Sequence, residues 1–237
     1  MIRLIIFDID NTLAKSNKPI EHEIIDFLQQ IESTGIIVAL ISGKPTVYIS
    51  GLARQIGLIN PIISGENGAY IHYSSSFPPQ QEIVLFKEES EIRKLEKLKL
   101  AILKEFDKKV WIQPNLVNLT IFPKTEKVKQ KLFQFVVTYA SHKSLNKKFK
   151  IYKHSDSIEL VPLNIDKGFA LRKIRVLEKL KKKEVIAVGD AENDIPMFIE
   201  AGHAIGINLP DAKYNFPDIK KAIQFIRALI EKENGRV

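Results

Sequence analysis

The apolar run at residues 2–7 breaks off directly into Asp8, Asp10 and Asn11. A short, isoleucine-rich run without polar alternation reads as a strand buried on both faces, and such strands belong to parallel sheets covered by helices. The abrupt polar ending matters as much as the run. Open parallel sheets bind their ligands beyond the carboxyl ends of their strands.

The pattern recurs along the chain. Residues 21–34 place Ile24, Ile25, Leu28 and Ile31 at helical spacing, and Gly35 supplies the stop. A second buried strand, 36–41, runs into Ser42-Gly43-Lys44; a helical stretch to about residue 56 and a short strand at 61–64 follow. Further on, 167–180 reads as a helix, 184–188 as a buried strand ending in Gly189-Asp190, 193–200 as a short helix, 203–207 as a strand and 218–232 as a final helix. Strands alternating with helices predict an α/β fold with a Rossmann-like parallel-sheet core.

The middle of the chain has a different rhythm. Strands are expected at 69–73 and 83–86, a charged amphipathic helix at 88–106, a hairpin of 109–113 with 116–122, a helix at 126–140, and a second hairpin of 149–153 with 157–161. This predicts a small α+β cap domain, 82–156, inserted into a core made of 1–81 and 157–237. A chain of 237 residues is long enough to bury both.

Composition removes several function classes. The absence of cysteine excludes disulfides, thiolate metal sites and cysteine catalysis. No apolar run approaches the ~18 residues of a membrane span, and the first residues lack the pattern of a secretory signal, so a cytoplasmic protein without a membrane partner is expected. The net charge of +8 admits nucleic acid, a small anionic substrate or simply a solvated lysine-rich surface. Lys147-Lys148 and Lys181-Lys182-Lys183 are not interleaved with aromatics as a single-strand platform would be, so no nucleic-acid partner is expected.

Three polar clusters fall at strand ends: Asp8-Ile9-Asp10-Asn11-Thr12, Ser42-Gly43-Lys44 and Gly189-Asp190-Ala191-Glu192-Asn193-Asp194. A fourth, Asp166-Lys167-Gly168, opens a helix. Brought to one crevice, Asp8, Asp10, Asp190 and Asp194 would repel one another, and a hard divalent cation would relieve the repulsion. Oxygen-only ligands without His or Cys favour Mg²⁺. Lys167 and the Ser42 hydroxyl could hold an anion against the metal, a combination suited to a phosphoryl group.

Asp-x-Asp-x-Thr after the first strand, Ser after the second, a Lys opening a later helix and Gly-Asp-x-x-Asn-Asp after another strand resemble, in this order, the haloacid dehalogenase superfamily of phosphatases. The insertion between the Ser42 and Lys167 motifs resembles the superfamily's type C2 caps. Gly65-Glu66-Asn67-Gly68 and Asn164-x-Asp166-Lys167-Gly168 look like the subgroup that contains archaeal phosphoglycolate phosphatase, sucrose-phosphate phosphatase and mannosyl-3-phosphoglycerate phosphatase. The small cap points towards the first of these.

The resemblance implies that Asp8 is the nucleophile and forms an aspartyl-phosphate, and that Asp10 serves as general acid and then general base. It implies Mg²⁺ held by Asp8, the backbone carbonyl of Asp10, and Asp190, with Asp194 as ligand or orienting group. Ser42, Gly43 and Lys167 would bind phosphate, Asn193 would bond near it or fix an acid, and the cap would close to exclude water. Thr12 and Lys44 have either structural or phosphate-facing roles. Asn11 stands where the family commonly has Gly, and asparagine tolerates the left-handed geometry of that turn. Arg93 is the lone arginine of the expected cap, Trp111 reads as a core residue, and His154 and His203 as structural or surface residues. The expected substrate is a small phosphorylated metabolite, first 2-phosphoglycolate and alternatively a sugar phosphate. The protein would act as monomer or homodimer. A phosphomutase and a non-catalytic basic binding protein are the competing readings.

Overall fold

The run that opens the chain forms β1 (Leu4–Asp8), with all five residues buried. In this computed structural model, which describes residues 1–235, the chain separates into two units: Met1–Leu85 with the chain from Asp166 onward, and Phe86–Ile165.

In the first unit β1 is followed by α1 (His22–Ser33), β2 (Ile37–Ile41), α2 (Thr46–Gln55), β3 (Ile62–Gly65), β4 (Tyr70–Tyr73) and β5 (Gln81–Val84). The spacing of Ile24, Leu28 and Ile31 puts them on one buried face of α1 with Phe27, and Gly35, at φ 84°, lets the chain turn back into β2.

The second unit contains α3 (Glu89–Phe106), β6 (Val110–Ile112), β7 (Leu119–Pro123), α4 (Glu126–His142), β8 (Phe149–Lys153) and β9 (Ile158–Pro162). Its strands form an antiparallel sheet in the order β6-β7-β9-β8. The helices pack on each other, and α4 packs on β7. Leu95, Leu98 and Ile102 of α3 and Leu132, Val136 and Ala140 of α4 are buried.

The first unit resumes with α5 (Lys167–Leu177), β10 (Val185–Gly189), α6 (Ile195–Ile199), β11 (His203–Ile207), β12 (Tyr214–Phe216) and α7 (Ile219–Asn234). Its eight strands run in the order β12-β11-β10-β1-β2-β3-β4-β5, parallel except where β4 pairs antiparallel with β3 and β5. Alternate residues of the central strands face two separate cores. Ile5, Phe7, Val38 and Leu40 pack with residues of α1, α2 and α7, whereas Leu4, Ile6, Ala39 and Ile41 pack with Leu171 and Ile174 of α5 and Met197 and Phe198 of α6. Helices thus cover both faces of the sheet, as its unbroken apolar strands require.

Both expected boundaries of the insertion move. The strand expected at 83–86 is β5, and it pairs with β4 in the larger sheet, so the first unit extends to Leu85 rather than residue 81. The strand expected at 157–161 is β9, which lies between β7 and β8, so the inserted unit extends to Ile165 rather than residue 156. Strand pairing, which local composition does not encode, decides both. The short edge strand β12 carried no sequence expectation. Residues 236 and 237 of the expected 157–237 segment lie outside the described residues.

Candidate active site

Because β1 lies between β10 and β2, three strand ends are neighbours, and each delivers a polar group. Asp8 is the last residue of β1, Ser42 follows β2, and Asp190 follows β10. The register aligns Asp8 with Ile41 and Phe7 with Val188, so all three reach the same edge of the sheet. Lys167 opens α5, capped by Asp166, whose carboxylate accepts the Phe169 N–H at 2.7 Å.

The charges meet around Lys167. Its Nζ donates to Asp8 Oδ1 at 2.7 Å and to Asp194 Oδ1 at 2.5 Å, and all three groups are buried. The other oxygen of Asp194 accepts the backbone N–H groups of Asp190 and Ala191 at 2.9 and 3.0 Å. Asp194 therefore fixes the turn that presents Asp190 and fixes Lys167 as well. Gly189 is required beside it, since a Cβ there would collide with the Asp194 carboxyl. Asp190 is half-buried, and its Oδ1 accepts from the Thr12 hydroxyl at 3.0 Å, which gives Thr12 a definite part in orienting an acid.

Carboxylate oxygens of Asp8, Asp190 and Asp194 lie within 4.8 Å of one another. Burial pushes the Asp8 carboxyl up to about 7; Lys167 pulls it down, while Asp194 and Asp190 push it further up. Burial also raises Asp190, partly offset by the Thr12 hydrogen bond. Burial disfavours the charge on Lys167, yet Asp8 and Asp194 outweigh it and hold the ammonium above its ordinary pKa. Three carboxylates against one ammonium leave an excess of negative charge in a poorly solvated place, which a hard cation would neutralise. The donors fit such an ion, being carboxylate oxygens only. Asp194 has both oxygens committed to protein donors, so Asp8 and Asp190 are the better ligands.

The remaining expected residues divide. The Asp10 carboxylate stands apart from this cluster and pairs with Lys44 Nζ at 2.6 Å, each side chain about a third exposed. Sequence reasoning gave Lys44 no partner, and nothing local to residue 44 signals residue 10. Ser42 is buried, and its Oγ accepts the Lys44 N–H at 3.2 Å, closing the Ser42-Gly43-Lys44 turn. Asn193 is exposed on the turn between Asp190 and Asp194, and it is the one nominated residue of that motif that faces solvent. Asn11 takes the expected left-handed conformation at φ 59°, and its side chain accepts the Ser16 N–H.

In the inserted unit, Trp111 is 56% exposed, contrary to the expectation of a core residue. It sits on the short strand β6 and leans on Phe122 across the sheet instead of entering the helix-packed side. Arg93 pairs with Glu89 on the exposed face of α3. His154 pairs with Glu159, and His203 lies at the start of β11.

Comparison with known proteins gives a consistent result. The family model described as haloacid dehalogenase-like hydrolase matches residues 5–154 and 137–209. Among curated relatives, a phosphoglycolate phosphatase of Thermoplasma volcanium is 29% identical over 231 residues, covering 95% of this chain and 92% of its own. One of Staphylothermus marinus is 29% identical over 202 residues, covering 82% and 80%. Among solved structures, a haloacid dehalogenase-like hydrolase from Bacteroides thetaiotaomicron superposes with a TM-score of 0.77 at 20% identity, over 95% of this chain and 100% of that one. The C-terminal domain of C. albicans trehalose-6-phosphate phosphatase does so with 0.70 at 15% identity, over 96% and 92%. At those identities the structural matches speak to the fold.

Proposed function

The chain belongs to the haloacid dehalogenase-like hydrolases, and from that premise we propose that it is a Mg²⁺-dependent phosphatase acting on a small phosphorylated metabolite, with 2-phosphoglycolate the first candidate. The observation that carries the reading is the bridge of Lys167 between Asp8 and Asp194, beside an Asp190 held by Thr12. It supplies a buried nucleophile candidate, a cation for the phosphoryl oxygens and surplus negative charge for a metal.

Asp8, Asp190 and the backbone carbonyl of Asp10 would hold the ion, with Asp194 orienting the others. When bound, Mg²⁺ supplies charge neutralisation to the phosphoryl oxygens and to the carboxylates themselves. The chain's own groups do the rest. An Asp8 oxygen attacks phosphorus in line, the ester P–O bond breaks, and its electron pair leaves with the alcohol oxygen, which takes a proton from Asp10. Water then attacks the aspartyl-phosphate, giving its proton to Asp10; inorganic phosphate leaves and Asp8 is restored. Lys167 and the Ser42 hydroxyl bind non-bridging oxygens. Lys44 holds Asp10 to one side until an anion competes for the ammonium. Phosphoglycolate takes first place among substrates because two relatives covering most of this chain bear that name.

The test is phosphate release from a broad panel of phosphate esters, including phosphoglycolate and sugar phosphates, with and without Mg²⁺. A panel that yields no phosphate with Mg²⁺ present refutes the reading. Preference for sugar phosphates over phosphoglycolate refutes the substrate alone.

A further inference from the structure

Glu200 is a buried ionisable group that the reaction above leaves unused. It caps the carboxyl end of α6, is 5% exposed, and gathers three cations. Arg172 Nε donates to its Oε1 at 3.0 Å, Arg175 donates to its Oε2, and Lys182 Nζ lies 3.7 Å away. Lys182 also donates to the carbonyl of Ile199, the last residue of α6, at 2.7 Å. Burial works against the charge of Glu200, and the guanidiniums outweigh it, so the carboxyl stays below its ordinary pKa. A carboxylate this heavily compensated is held in place, because moving it away from the cations would leave a buried charge unpaired.

The location gives the cluster its meaning. The two helices it ties together, α5 and α6, carry the site at their other ends. Lys167 is the first residue of α5, and Asp194 immediately precedes α6. Arg175 stands about 12 Å from Lys167 along the helix axis. Near the site, α5 touches α6 backbone to backbone: a Cβ on Gly168 would collide with the Pro196 carbonyl. The near contact sets the separation of the helices at the site, and behind it Leu171 and Ile174 of α5 share a core with Met197 and Phe198 of α6. The ion cluster at the far end adds directional, charge-assisted bonds to this non-directional apolar packing. Bonds at the far end, added to the close approach at Gly168, restrain both the slide and the roll of α5 on α6.

We propose that Glu200, Arg172 and Arg175 form a positioning device that sets α5 on α6 and thereby holds Lys167 Nζ between Asp8 and Asp194. The device rests on the reading that this crevice binds a phosphoryl group. It acts through Lys167 and touches no substrate.

Two variants test it. Glu200→Gln removes the charge that gathers the cations; Arg172→Met removes one arm, and its 60% exposed side chain makes it safe for folding. Both are compared with wild type, after circular dichroism at a temperature well below unfolding confirms the fold. Calorimetry reads the binding of orthovanadate in Mg²⁺ buffer. Nitrogen-15 NMR reads the Lys167 ammonium signal, assigned by its loss in Lys167→Met. Glu200→Gln weakens orthovanadate about 10-fold and Arg172→Met about 3-fold, the scale of a sub-ångström misplacement. Both variants shift the Lys167 signal. Folded variants with an unchanged Lys167 signal and unchanged orthovanadate affinity overturn the proposal and leave the phosphatase reading intact. A wild type that neither binds orthovanadate nor releases phosphate overturns both.

Discussion

Among the described residues each unit buries one lysine, and the two are accommodated in opposite ways. Lys167, in the larger unit, is 2% exposed and faces two buried carboxylates, with a third acid close by. Lys129, in the inserted unit, is 8% exposed and ends on the Ser155 carbonyl at 2.7 Å and on the largely exposed Glu126. The second arrangement is balanced: a long side chain covers apolar surface and its head finds a backbone acceptor and a solvated partner. The first is unbalanced, since acids outnumber the cation where water is scarce. A stable protein has no need of such a surplus, which a further positive charge would neutralise.

The contrast can be broken from either side. The largest effect is expected from Asp8→Asn, which should reduce the rate of phosphate release by ~10⁴-fold or more. Measurable turnover above that level would move the nucleophile elsewhere. Next comes Lys167→Met, which strands buried carboxylates and should cost about 3 kcal/mol in urea unfolding without metal, along with a ~100-fold loss of turnover. The same change at Lys129 should cost only about 1 kcal/mol and leave turnover as it was. Equal costs at the two positions would erase the distinction.

A third handle is pH. Asp8 has its carboxyl raised from 3.8 to about 7 in the folded chain without metal. Across that window the folded chain keeps a proton that the unfolded chain has lost. Metal-free stability should therefore fall as pH rises through the window and level off above it. A cation competes with this proton, so Mg²⁺ should raise the melting temperature little at pH 5 and progressively more through pH 7. Thermal melts with Mg²⁺ and with EDTA read this directly, and a pH-independent increment would contradict the Asp8 assignment. An effect of the opposite sign is expected at Asp107, which follows α3 at φ 39° without being glycine. Asp107→Gly should stabilise the protein by about 1 kcal/mol without altering turnover.

What the sequence disclosed follows the range of the forces involved. Strands buried on both faces are visible as unbroken apolar runs, and their polar ends point to Asp8, Ser42 and Asp190. Lys167 was legible because it opens a helix directly after its capping aspartate. The partners of these residues were not legible. Asp10 and Lys44 are 34 residues apart, and Thr12 and Asp190 are 178 apart. Nothing local in the sequence sets Glu200 apart, since its partners Arg172 and Arg175 lie 28 and 25 residues away. The unit boundaries moved for a related reason, since β5 and β9 are assigned by the strands beside them. Trp111 was misplaced because a large aromatic on a short strand can lie against a cross-strand neighbour as readily as in a core.

Asp8 also inherits something from its strand. β1 has a hydrogen-bonded neighbour along each edge, so its amides cannot be released by the peeling of an outer strand. Opening it means opening the whole α/β unit, and deuterium should enter there last. Heat or denaturant should then remove turnover and fold together, in one cooperative step, leaving no inactive but otherwise standing enzyme in between.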